Sequence, residues 1–136
     1  MKSLILILFF CFPFQAFAIT YHCQTTKKVE RSIDYTLDKL KKYQFTTILD
    51  IYPEDVIYIS RCGYSDIDKK IICNKYPADK IERDNNVNLI KVYIFKSQYN
   101  FQLFPDLTSV EDNGRGSISY QKCKVKTFPM LIKPVH

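Results

Sequence analysis

Residues 25–43 read TTKKVERSIDYTLDKLKKY, and the expected architecture hangs on them. Val29, Ile33, Leu37 and Leu40 follow at spacings of four, four and three. Side chains three and four apart share one face of a helix, so these four form an apolar stripe. Lys27, Lys28, Arg31, Asp34, Asp38, Lys39, Lys41 and Lys42 fill the other faces. Thr25 or Thr26 supplies an N-cap hydroxyl. The spacing predicts one amphipathic helix over 25–43, with Leu37 buried against the rest of the domain.

Beyond it the periodicity changes. Thr46–Tyr52 and Val56–Ser60 are rich in β-branched and aromatic residues and read as strands on either side of Pro53. Ile71–Tyr76 is a third, stopped by Pro77. Leu89–Phe95 is the strongest strand, and Asn100–Phe104 answers it across a turn at 96–99. Asp79–Asn88 reads as a loop, as does Glu111–Gly116 with two of the three glycines. Ser117–Val125 is a last strand, and the tail 127–136, with Pro129 and Pro134, is expected to be irregular. One helix followed by an antiparallel sheet is an α+β domain.

On the N-terminal side lies a secretory leader. Lys2 gives the positive start, Leu4–Phe14 the short apolar run, and Ala16-Phe17-Ala18 the small-x-small cleavage signal. The expected product of cleavage after Ala18 is a secreted single domain, 19–136. No later stretch is long and apolar enough to cross a membrane. Its basic residues outnumber its acids by five, which favours acidic partners.

Cys11 leaves with the leader, and Cys23, Cys62, Cys73 and Cys123 remain. Four cysteines in a small secreted chain read as two disulfides, with three possible connectivities. The symmetric pairing, Cys23–Cys123 with Cys62–Cys73, is the expectation. No CxxC pair is present, and neither a metal nor a cofactor is expected.

The mature chain opens with Tyr21-His22-Cys23, a Tyr-x-Cys just after the cleavage point, and carries a late cysteine, Cys123, and the strand Lys91-Val92-Tyr93-Ile94-Phe95. In these features it resembles the RNase-like secreted effector candidates of cereal powdery mildew fungi. The resemblance implies the fold of guanyl-specific fungal ribonucleases, a monomer, and a virulence role through binding a host component, with translocation into a host cell a further destination. Cys62 and Cys73 are an addition to that family's simplest pattern.

The family's catalytic pattern is not kept. Its Tyr-Pro-His falls at Tyr52-Pro53-Glu54, its glutamate at Lys75 ahead of Tyr76-Pro77, and its arginine at Lys91. The only mature histidines are His22, inside the motif, and His136, at the end. No holder for the acid and base roles of RNA cleavage is apparent, so the resemblance implies a protein without catalytic residues. Tyr52, Lys75, Tyr76, Lys91, Tyr93 and Arg115 are the candidate contacts to a host protein or, as the alternative, to RNA held without turnover.

Overall fold

The computed structural model describes residues 17–129. The leader's apolar run and the tail from residue 130 lie outside the described residues. Among the described residues there are ten strands and one short α-helix: β1 Phe17–Glu30, β2 Ile33–Asp34, α1 Leu37–Tyr43, β3 Thr46–Tyr52, β4 Val56–Ser65, β5 Lys70–Pro77, β6 Lys80–Asp84, β7 Leu89–Ile94, β8 Tyr99–Leu103, β9 Thr108–Asp112 and β10 Ser117–Pro129. The expected α+β, ribonuclease-like arrangement is therefore wrong. The protein is one antiparallel β-sheet, in the order β5-β4-β3-β1-β10-β9-β8-β7-β6, with β2 appended to β1.

The decisive residues fold differently from their periodicity. Phe17–Glu30 is a long strand, paired with β10 on one side and β3 on the other. Arg31 and Ser32, with φ of 48° and 66°, turn the chain into β2. Two central residues at positive φ make the turn that suits the twist of a tight hairpin. Asn-Gly usually announces that turn, and Arg-Ser does not. The helix is only Leu37–Tyr43; the Thr36 hydroxyl accepts the Lys39 N–H at 3.3 Å, and Gln44 closes it in the left-handed conformation. It buries no residue, and Leu37 is 71 % exposed. The apolar stripe is thus split between two strands and a surface helix.

The sheet curls into a half-barrel. Its outermost strands, β5 and β6, are consecutive in the chain, joined by Ala78-Asp79 alone. Pro77 to Lys80 spans at most ~10 Å, so the two edges meet at that corner. The Ala78 N–H donates to Ile57 O at 2.9 Å, and the Asp79 N–H donates to Tyr93 O at 2.8 Å. Arg83 adds an ion pair to Asp55 at 2.7 Å.

The period-2 alternation of the strands gives the concave face two ends. One is apolar: Leu49, Ile51, Ile57, Ile59, Val92, Phe101 and Leu103 are all buried there. Each such side chain contributes about 1.5–3 kcal/mol by leaving water. Cys23 and Cys123 stand directly opposite one another on β1 and β10 and are disulfide-bonded, as are Cys62 and Cys73 on β4 and β5. The other end is polar. β10 runs on to Pro129, so the first residues of the expected irregular tail pair with β1.

Candidate functional site

At the polar end, cross-strand register brings Thr25, Thr47, Arg61, Glu111, Ser119 and Gln121 to one concave surface. Glu111 is the centre, only 4 % exposed. Its Oε1 accepts from Arg61 Nε at 3.2 Å and Nη2 at 2.9 Å. Its Oε2 accepts from the Tyr99 hydroxyl at 2.9 Å and from the Thr47 hydroxyl. Gln121 Nε2 donates to Thr47 Oγ1 at 2.9 Å, and Ser109 Oγ donates to Gln121 Oε1 at 2.9 Å. A buried carboxylate survives when its lone pairs are filled and a cation faces it, and both conditions hold.

Two shifts follow from this burial. Desolvation raises the Tyr99 phenol well above 10.0, and the charge of Glu111 beside it adds to the rise. Desolvation also lowers Lys28, with Glu111 pulling the other way. Lys28 is 9 % exposed. Its Nζ lies 4.1 Å from the centroid of the Phe45 ring and 5.4 Å from that of Tyr35, so aromatic faces take the place of a carboxylate partner.

Arg61 continues from this network into an open pocket of about 220 Å³, lined also by Tyr76, Ile94, Ser97, Tyr99, Asn113 and Arg115. Its guanidinium carbon is 5.4 Å from the Tyr99 centroid. The pocket lies between β5 and the β7–β8 and β9–β10 connections. Gly114, at φ 72°, sets the last of these: a Cβ there would sit 2.5 Å from Ser97 O. The Asn113 carboxamide oxygen accepts from the N–H groups of Arg115 at 2.8 Å and Ser117 at 3.0 Å, fixing the arginine's backbone. Two arginines thus line one pocket, and the carboxylate that Arg61 pairs with, Glu111, already has both oxygens occupied.

The six contacts chosen from sequence separate into three places. Tyr76 and Arg115 line this pocket. Tyr52 and Lys75 meet on the outer face through Tyr58, which stands edge-on to Tyr52 and 4.9 Å beneath Lys75 Nζ. Tyr93 and Lys91 lie on β7, where Tyr93 bonds Glu82 and Lys91 faces Glu82 in register. A larger hollow of about 690 Å³ beside Lys91 carries Glu82 and Asp84 as well as Arg83, so its charges offset. Sequence reading missed Arg61, Glu111 and Lys28. The alternation of Ile57, Ile59, Arg61 along β4 puts a cation on a buried face, which is the signal that was there to find.

Among the described residues no group of three His, Cys, Asp or Glu is placed to hold a metal ion, and no helix is long and apolar enough to cross a membrane. No family model, curated protein or solved structure matches the chain.

Proposed function

We propose that the protein is a secreted binding module which acts, as an effector would, by holding an anionic group of a host component in the pocket at the polar end of the half-barrel. The observation that carries this reading is the convergence of Arg61 and Arg115 with Tyr76 and Tyr99 on one cavity. Guanidinium groups bind carboxylate and phosphate oxygens in pairs. Glu111 pre-orients Arg61, so little order is lost when an anion arrives. Binding fits this site better than turnover. Both Glu111 oxygens are occupied by donors, and Tyr99 holds its proton tightly, so neither is free to move one. The two disulfides suit an oxidising, extracellular setting.

RNA held along a basic and aromatic face fits less well, because four of its six candidate contacts lie away from the pocket. The test is a calorimetric titration of the refolded, disulfide-intact protein with inorganic phosphate and with a phosphorylated aromatic compound. Arg115→Ala should weaken binding at least tenfold, about 1.4 kcal/mol, without lowering the melting temperature, since Arg115 is exposed. Equal affinities for wild type and variant would sink the proposal. Capture of partners from host tissue, with and without nuclease, then identifies the component.

A further inference from the structure

The outer face of the central strand pair carries a second cationic feature, separate from the pocket. On β10, Gln121 and Cys123 point into the buried concave face, so Lys122, Lys124 and Lys126 point outward, and all three are exposed. Residues two apart on a strand are ~6.8 Å apart, so the three ammonium groups mark a straight line of roughly 14 Å. Across the pair, Lys124 faces His22 and Lys122 faces Gln24, while Lys27 extends the line beside Tyr120, its Nζ 5.7 Å from that ring. None of the four lysines is in an ion pair among the described residues. On the flanking strands β9 and β3 the outward carboxylates are Asp112 and Asp50. Asp112 caps the Gly114 N–H and Asp50 accepts from Thr20, and among the described residues neither forms an ion pair with a lysine of the line.

We propose that this lysine ladder binds an extended polyanion, and that the polyanion is a sulfated or uronate-bearing polysaccharide. Like charges held in a row by a rigid strand repel one another, and a linear chain of negative groups relieves that repulsion along its whole length. A polysaccharide is favoured over single-stranded nucleic acid because the ladder lacks a stacking platform. Among the described residues the rings beside it are the His22 imidazole opposite Lys124 and Tyr120 at its end, the latter partnered by Lys27; two separated rings do not make the row of successive base–aromatic stacks that holds single-stranded nucleic acids. The disulfides also suit a setting outside the cell, where such polysaccharides occur.

The experiment compares wild type with Lys122→Gln/Lys124→Gln/Lys126→Gln and with a control of equal charge loss, Lys39→Gln/Lys41→Gln/Lys70→Gln, on an immobilised heparin column. Wild type and control should be retained to similar salt, and the ladder variant should elute much earlier. In titrations with a heparin octasaccharide, the dependence of log affinity on log salt should flatten by about two to three in the ladder variant, one counterion per lost contact. Should the triple variant fail to fold, Lys124→Gln alone should remove about one unit of that slope. No retention of wild type, equal shifts for both triple variants, or tighter binding of a ten-nucleotide RNA than of the octasaccharide would each overturn the proposal.

Discussion

Glu111 shows how a single residue organises the site. Three side chains donate to it from three strands, β3, β4 and β8. Truncation to alanine strands the Thr47 and Tyr99 hydroxyls and frees Arg61. Glu111→Ala should therefore cost about 2–4 kcal/mol in urea unfolding, within the range for an orphaned buried polar group plus a lost charged hydrogen bond. A loss below ~0.5 kcal/mol would mean the network is not stabilising. Lys28 makes a second prediction, through pH. Burial lowers its folded-state value, whereas the unfolded chain keeps the proton up to about 10.5. The unfolded state thus binds more protons in that window, and this group's contribution to stability rises as pH rises. Lys28→Met removes the dependence, so the stability of wild type should gain on that of the variant as pH rises toward 10.5, read by urea unfolding at a series of pH values. Tyr99 has the opposite sign above pH 10.0, where the unfolded phenol ionises and the folded one does not. An absorbance titration should find one tyrosine that ionises only as the protein unfolds.

Among the elements, the helix and the β9–β10 connection respond oppositely to small changes. Leu37 is mostly exposed on a helix that buries nothing, so Leu37→Ala should change stability by less than ~0.5 kcal/mol, the ordinary surface range. Gly114→Ala should do far more, because φ is positive and Ser97 O occupies the space of a Cβ. A loss of about 1–3 kcal/mol is expected, with weaker anion binding as the loop carrying Arg115 shifts. Thermal melts of both variants, with an anion titration of the second, check the pair. The same contrast explains what was legible in the sequence. β3, β5, β7 and β8 were readable because β-branched and aromatic runs lie between prolines or turns. β6 and β9 were not: Lys80–Asp84 is mostly charged because it is an edge strand, open to solvent. The second part of β1, from Thr25 to Glu30, reads as the start of a helix because Val29, Ile33, Leu37 and Leu40 happen to fall at helical spacing. The bulge between Thr25 and Lys27 broke the alternation that would have marked a strand. Of the pocket's lining residues, Tyr76 and Arg115 are also sequence candidates, whereas Glu111 reads as loop, since long-range pairing and not local pattern makes it buried.

For the whole molecule, the question is what holds a curled nine-strand sheet shut when its edges meet only at one corner. β1 and β10 lie at the middle of the strand order and join a half made of β3, β4 and β5 to a half made of β6 to β9. Cys23–Cys123 crosses that central pair at a sequence separation of 100, and Cys62–Cys73 ties the β4–β5 hairpin at a separation of 11. In the loop-closure account, the first restricts the unfolded chain by about 4.7 kcal/mol and the second by about 2.8 kcal/mol. Cys23 is also fully buried, so its removal leaves a space in the core that adds to the loss. Replacing Cys23 and Cys123 together by alanine should therefore destabilise the protein by at least ~2 kcal/mol more than replacing Cys62 and Cys73. The second replacement acts locally instead. It loosens the strand that carries Tyr76, so it should weaken anion binding while lowering the unfolding midpoint less than the first replacement does. Urea unfolding and anion titration of the two double variants separate these effects. The reverse order of stability would show that the β4–β5 hairpin, and not the central pair, holds the half-barrel together.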